Sequence, residues 1–261
     1  MSLLDRITSL TWDKIYRIDT MGRSGSTVYI YDDMVLKEEP DSESVRESVK
    51  VMEWLEGKLP VPRVICHEIA DGKSYLLMSR INGIMACDRY YRERSYELVK
   101  LLAEGLRMLW SVDIAGCPGE RTLDDELAYA RYRVENGLVD TAIAEPGTFD
   151  ELGYTDPNHL LKWLEANKPS YEPVLSHGDF CLPNIFIDEG RISGFIDLGD
   201  MAIGDKWRDI SLCYRSLKHN YDGTFGHKVY PCFGADALFD ELGIEPDFNK
   251  IRYYIMLDEL F

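Results

Sequence analysis

The stretch His177-Gly178-Asp179-Phe180-Cys181-Leu182-Pro183-Asn184, followed by Ile196-Asp197-Leu198-Gly199, decides how this chain is read. It sets an amide five residues after one carboxylate, and a second carboxylate thirteen residues after the amide. Phosphoryl transfer from a nucleotide asks for these groups in this order. One Asp orients the attacking hydroxyl and accepts its proton, an Asn holds a magnesium ion, and a last Asp holds the metal that bridges the phosphates. The intervening residues supply a way to bring them together. Ile185-Phe186-Ile187 reads as a short strand, Asp188-Glu189-Gly190-Arg191 as a turn, and Ile192 to Ile196 as the returning strand. A hairpin of that length joins its own ends, which predicts Asn184 and Asp197 side by side. Two oxygen-bearing groups there suit Mg²⁺, a hard cation usually held by few protein ligands plus phosphates and water. A lone Asp in such a place is more often a turn or cap residue; the complete spacing points to catalysis. Asp179 is therefore the candidate proton acceptor, and Asn184 and Asp197 are the candidate metal ligands.

The protein-kinase pattern H-R-D-x-x-x-x-N has the same Asp-to-Asn offset and an Asp-x-Gly behind it; here Gly178 replaces the Arg and Leu198 the Phe. The first hundred residues contain what such a site needs upstream. Gly22-Arg23-Ser24-Gly25 is a turn before the alternating strand Ser26 to Tyr31, and it can offer backbone N–H groups and the Ser24 hydroxyl to phosphate oxygens. Gly22 and Gly25 do not make G-x-G-x-x-G, so this motif is weak alone. After the Asp32-Asp33 turn, Met34-Val35-Leu36-Lys37 is an apolar strand ending in a lysine, the place of the kinase lysine on the α- and β-phosphates. That lysine usually pairs with a Glu on the next helix. Ser42 to Leu55 reads as that helix, with Val45, Val49 and Met52 as its apolar stripe and Glu47 as the chosen partner. Pro60 and Pro62 end it. Tyr75 to Met78 is a further strand, and Ser79-Arg80-Ile81 reads as a hinge whose backbone meets adenine, which makes Ser79 and Ile81 nucleotide-site candidates.

From about residue 95 the period becomes helical. Leu98, Leu101, Leu102, Leu106 and Leu109 predict a core helix over Ser95 to Val112, with further helices over Leu123–Val139, Pro157–Asn167, Asp209–Ser216 and Pro246–Phe261. The expected fold class is α+β: a bilobal, protein-kinase-like chain with a small β-rich N-terminal lobe (residues 1–81) that binds nucleotide. A larger, mainly helical lobe (82–261) would carry the catalytic loop and substrate site.

Composition bounds the partners. The chain has 261 residues, 45% of them hydrophobic, enough for a substantial core. No apolar run approaches the ~20 residues of a membrane span, and the N-terminus lacks the layout of a secretory signal. Six cysteines show no C-x-x-C pair, as expected of reduced thiols in a cytoplasmic protein. Lys plus Arg total 29 against 46 Asp plus Glu, a formal charge of −17. Nothing here forms a basic stripe for nucleic acid, and a negative field attracts polycationic small molecules. The last residues sharpen this. Asp258-Glu259-Leu260-Phe261 crowds carboxylates at a helix C-terminus, where cations are the favourable charge. Such an acidic cluster, faced by Asp150 and Glu151 in the loose segment 145–156, suits the ammonium groups of a substrate; a frayed, solvated end is the plainer alternative.

The chain resembles the aminoglycoside 3'-phosphotransferases, bacterial antibiotic-resistance kinases. The resemblance runs through Trp54-Leu55-Glu56-Gly57-Lys58-Leu59-Pro60-Val61-Pro62, Leu76-Leu77-Met78-Ser79, Ser176-His177-Gly178-Asp179 with Asn184, and Ser193 to Gly199. It continues through Asp205-Lys206-Trp207 with Asp209-Ile210 and the closing Leu257 to Phe261. It implies ATP- and magnesium-dependent phosphorylation of the 3'-hydroxyl of kanamycin- or neomycin-like drugs; the expected form is a monomer or weak dimer. Asp179 would lie near the attacking hydroxyl, Asn184 and Asp197 on magnesium, Lys37 on the phosphates, and Asp258, Glu259 and Phe261 on the drug. Four positions depart from the family pattern: Ser48 replaces the expected Glu, Asp200 an Arg, Val35 an adenine-stacking Tyr, and His219 an acid. A kinase of another small hydroxylated amine or sugar, and a nucleotide-binding pseudokinase, are the alternative readings.

Overall fold

Alternation along Met34–Pro40 organises the first part of the molecule: Met34 and Leu36 are buried, while Val35 and Lys37 take the other face. The computed structural model describes residues 4–19, 26–150, 153–226 and 228–261. Helix α1 (Leu4–Thr11) precedes strands β1 (Arg17–Asp19), β2 (Thr27–Ile30) and β3 (Met34–Pro40). Helix α2 (Glu43–Leu55) and strands β4 (Val64–Ala70) and β5 (Lys73–Ser79) follow. The strands make one antiparallel sheet in the order β1-β2-β3-β5-β4. Tyr31, Met34, Leu36, Cys66 and Leu77 form a small core with Ile7 of α1. Lys37 pairs across the sheet with Leu76, and residues directly opposite share a face. Leu76 joins Val49, Met52 and Leu55 of α2 in the larger core, so Lys37 looks toward the α2 side. Helix α2 starts where Ser42 caps it, the hydroxyl accepting the Val45 N–H at 3.2 Å.

The rest is mainly helical. Strand β6 (Ile84–Met85) and helices α3 (Arg89–Arg92), α4 (Ser95–Trp110), α5 (Leu123–Glu135) and α6 (Pro157–Ala166) lead to strands β7 (Pro173–Ser176), β8 (Ile185–Asp188), β9 (Arg191–Phe195) and β10 (Ala202–Asp205). Helices α7 (Lys206–Asp222), α8 (Ala237–Leu242) and α9 (Phe248–Asp258) complete the chain. Helix α4 buries the leucines that predicted it, from Leu98 to Leu109. The expected α+β, kinase-like division of a β-rich first part and a helical second part is what the chain adopts. The predicted hairpin is β8–β9, closed by Glu189 (φ 48°) and Gly190 (φ 74°), the two left-handed residues of a type I′ turn.

Element ends differ from expectation for local reasons. Helix α7 is longer at both ends than 209–216, starting where the Asp205 carboxylate accepts the Trp207 N–H at 2.7 Å. Helix α5 stops at Glu135, before Asn136-Gly137, and not at Val139. The β7–β10 pair carries no prior signal, because four-residue strands are too short to show a period. All six cysteines are unpaired, and among the described residues no helix is long and apolar enough to cross a membrane.

The link after β5 is seated by one close approach. A side chain at Gly194 would put its Cβ 2.6–2.8 Å from Cγ2, Cδ1 and Cγ1 of Ile81. Gly194→Ala should therefore lower the unfolding free energy by about 1–3 kcal/mol through overpacking. The Ile81→Ala/Gly194→Ala double variant should be less destabilised than the sum of the singles, as urea titration would reveal.

Candidate active site

The loop carrying Asp179 is held from beneath by two consecutive residues of α7. The buried Asp209 carboxylate accepts the N–H of His177 at 2.8 Å and of Gly178 at 3.0 Å. Arg208 Nε donates to the Gly178 carbonyl at 2.8 Å. The peptide groups around Gly178 are thus satisfied in a conformation (φ 81°) that favours glycine. Burial pushes the Asp209 carboxyl up, while His177 and the two N–H donors pull it down. His177 is fully buried; its Nε2 lies 3.0 Å from the Ile196 carbonyl, and its Nδ1 accepts the Asp179 N–H at 3.3 Å. Both bonds fit a ring carrying its hydrogen on Nε2. His177 therefore joins the Asp179 loop to the residue just before Asp197.

The hairpin brings the three candidate residues to one place. Asn184 Nδ2 donates to the Asp179 carboxylate at 2.8 Å and to its carbonyl at 3.0 Å. The Ile196 N–H donates to the Asn184 carbonyl at 2.9 Å, which sets Asp197 beside Asn184 as the spacing predicts. With its nitrogen committed to Asp179, Asn184 keeps its acceptor oxygen for another partner. Asp197 adopts a left-handed backbone (φ 57°, ψ 59°), unusual for a residue with a side chain, and leaves its carboxylate exposed. Burial and the Asp179 charge push the Cys181 thiol well up, which disfavours its thiolate.

Lys37 reaches this mouth from β3, with Nζ 3.9 Å from Asp197 Oδ1 and 3.2 Å from Glu39 Oε2. Its nearer carboxylate is therefore Glu39, two residues along the same strand and on the same face. Glu47 does not fill that place: it is exposed on α2, without an ion pair to Lys37. The half-buried position is Ser48, whose hydroxyl bonds back to the Val45 carbonyl at 2.8 Å. Ser79 ends β5, its hydroxyl accepting the Arg63 N–H at 2.8 Å, and Ile81 lies against the β8–β9 hairpin at Gly194. Ser24 and Glu151 fall outside the described residues.

The acidic tail is neither frayed nor free of cations. Asp258 pairs with Arg215 at 2.5 Å and Arg208 at 3.7 Å, and Glu259 with Arg215 at 3.6 Å. Glu145, not one of the predicted residues, lies 3.4 Å from Arg215 and 3.6 Å from His219, and donates its N–H to Glu259 at 2.9 Å. Burial pushes the Glu259 carboxyl up to about 7, against the pull of the Glu145 N–H and of Arg215, while the charges of Glu145 and Asp258 add to the rise. Phe261 stacks on Tyr129, ring centroids 5.7 Å apart, with the Arg208 guanidinium 5.6 Å from its ring. Asp150 is exposed, its carbonyl accepting the Gly153 N–H at 3.1 Å. The cations that pair with Asp258 and Glu259 come from α7, and Arg133 of α5 donates to the Leu260 carbonyl at 2.8 Å.

Arg208, Asp209 and Arg215 carried no predicted role. One signal was present: Asp209, Cys213, Ser216 and Asn220 recur at helical spacing, and all four are buried. A charged residue heading a buried stripe is costly unless it has partners. Arg208 also pairs with the buried Glu126 of α5 at 2.7 Å, a contact that no local pattern announces.

Residues 16–231 match the model of the phosphotransferase enzyme family. The chain is 42% identical over 218 residues to an aminoglycoside 3'-phosphotransferase of Enterococcus faecalis, spanning 83% of this chain and 79% of that one. A Staphylococcus aureus relative of the same description matches equally, at 42% over 218 residues, again 83% and 79%. The chain belongs to the aminoglycoside 3'-phosphotransferase family. It is an enzyme of the kinase type, as the His177–Gly199 stretch implies. The fold agrees: the aminoglycoside phosphotransferase APH(3'')-Id of Streptomyces rimosus superposes with a TM-score of 0.82 at 24% identity, covering 100% of this chain and 98% of that one. That neighbour has also been solved with ADP and streptomycin, in a form that superposes at a TM-score of 0.75, with 24% identity and the same coverage.

Because Asp209 accepts the buried N–H groups of both His177 and Gly178, the second shared with Ser176 Oγ at 3.2 Å, Asp209→Ala should cost about 2–5 kcal/mol of stability. Chemical denaturation would measure the loss, and an unchanged midpoint would contradict the clamp.

Proposed function

We propose that this enzyme transfers the γ-phosphoryl group of ATP to the 3'-hydroxyl of aminoglycosides of the kanamycin and neomycin class. The observation that carries the reading is the cluster at the hairpin mouth: Asn184 bonded to the Asp179 carboxylate at 2.8 Å, Asp197 beside it, and Lys37 3.9 Å from Asp197. In this reading Asp179 orients the acceptor hydroxyl and takes its proton, while catalysis is otherwise positional and electrostatic. Lys37, held at the mouth by Glu39, contacts the phosphates. Residues 1–81 form the nucleotide lobe, with Ser24 near the phosphates and Ser79 to Ile81 at the base; residues 82–261 carry catalysis and the drug site. The working form is a cytoplasmic monomer or weak dimer.

A magnesium ion fits the residues present. The Asn184 amide is oriented by Asp179 so that its oxygen remains available, and the Asp197 carboxylate is exposed beside it. These two would hold it, and its charge would neutralise the phosphate oxygens. The drug's ammonium groups meet the carboxylates of Asp258 and Glu259, joined by Glu145, with Asp150 and Glu151 as further candidate partners and Phe261 against a sugar ring.

Purified protein with Mg-ATP should add one phosphate to kanamycin, read by mass spectrometry, and leave a 3'-deoxy analogue unmodified. Modification of the 3'-deoxy analogue would refute the regiochemistry, and unmodified kanamycin would refute the substrate class. Asp179→Ala should lower kcat by about 10²–10⁴-fold with little change in ATP affinity.

Glu259 also predicts a pH dependence. Its carboxyl is raised to about 7 in the folded chain, so the folded state binds its proton more tightly than the unfolded state. Its contribution to stability therefore falls as pH rises from the ordinary carboxylate range toward 7. Ionisation in the folded chain, centred near pH 7, strengthens its hold on cations. KM for kanamycin should fall between about pH 6 and 8, and Glu259→Gln should flatten that part of the profile.

A further inference from the structure

We propose that Arg121 is a positioning residue. Its ion pair with Asp200 holds the turn after Asp197 against the loop that carries Asp179, and so sets the spacing of the two functional carboxylates. This rests on the reading of Asp179 and Asp197 given above.

Asp200 is the wall against which the catalytic loop rests. A side chain at Gly178 would bring its Cβ to 2.6 Å from Asp200 Cβ and 2.7 Å from the Asp200 carbonyl oxygen. Any shift of Asp200 is therefore felt by the Gly178–Asp179 peptide. Asp200 also ends the short Leu198–Asp200 turn that Asp197 begins, a turn closed by the 3.2 Å bond from the Met201 N–H to the Leu198 carbonyl. A turn of one such bond, starting from a left-handed Asp197, does not hold its own geometry firmly. Arg121 supplies the external hold, with Nη1 on Asp200 Oδ1.

Arg121 is itself a fixed post. Its N–H donates to the Ile203 carbonyl at 2.8 Å, Ile203 returns a bond to the Gly119 carbonyl at 2.9 Å, and Glu120 bridges to Ile203. The post thus stands on β10, the strand into which the Asp200 turn runs. Arg208 grips the Gly178 carbonyl from below, so the catalytic loop is held between two guanidinium-anchored surfaces. The space among Arg121, Glu126, Gly178, Asp200 and Arg208 is a cavity of about 10 Å³, room for roughly one water and not for a drug amine. Partial desolvation raises the Asp200 carboxyl, and the Arg121 charge and hydrogen bond outweigh it, leaving the group below its ordinary value and ready to pair.

The pair is 33% and 49% exposed, a setting in which ion pairs contribute little to stability. Activity and folding are therefore separable. Arg121→Gln, Asp200→Asn and the double variant of the full chain would be compared with wild type and Asp179→Asn for kcat, KM and Tm. Each single variant should lose about 10–100-fold in kcat, the scale of a misplaced catalytic group. KM for Mg-ATP should stay within about two-fold and Tm within about 2 °C. The double variant should be no worse than the poorer single, since both remove one interaction. Wild-type kcat in Arg121→Gln, additive losses, or a fall in Tm that tracks the lost activity would overturn the proposal. If wild type fails to phosphorylate, or Asp179→Asn stays active, the reading of the site itself falls and takes this inference with it.

Discussion

The hold of Asp209 on the N–H groups of His177 and Gly178 is the constraint from which the site follows. A left-handed Gly178 turns the chain so that Asp179 leaves the loop, and such a turn exposes two peptide N–H groups that burial would otherwise penalise. One carboxylate on α7 satisfies both. The next residue, Arg208, takes the Gly178 carbonyl, so a single helical turn grips both sides of the loop. His177 then carries that order across to Ile196, and the β8–β9 hairpin carries it to Asp197. Asp179 and the candidate metal ligands are thus rigidly related through peptide groups and a buried ring.

The excess of acid in the chain is not spread evenly in its effects. Part of it is balanced inside: Arg208 sits among Glu126, Asp258, Asp200 and Asp209, whose charges outweigh the cost of burying the guanidinium. Arg215 does the same for Asp258, Glu259 and Glu145. The same arginines tie the C-terminal helix to the catalytic loop, because Arg208 touches Gly178 on one side and Asp258 on the other. If a drug amine binds here as proposed, it meets carboxylates already held in place, which reduces the ordering cost of binding.

The nucleotide side obeys a shorter rule. Strand periodicity puts Glu39 on the face of Lys37, so the lysine finds a carboxylate on its own strand. On α2, the apolar stripe sets the inward face, and Ser48 rather than Glu47 lies beside it. A one-residue difference on a helix is a rotation of about 100°, enough to move a carboxylate from the sheet to solvent.

Local chemistry alone determined much of this protein. The offsets among Asp179, Asn184 and Asp197, the turn at Glu189-Gly190, the leucine period of α4 and the alternation before Lys37 are properties of neighbouring residues, legible without coordinates. So was the class of fold, because β-rich and helical patterns occupy separate parts of the chain. Only the tertiary structure decided which charges meet. Arg208 with Glu126, Arg215 with the tail, and Arg121 with Asp200 join residues 82, 43 and 79 positions apart. Burial makes such pairs count, and burial is set by packing among elements that no single stretch of sequence describes.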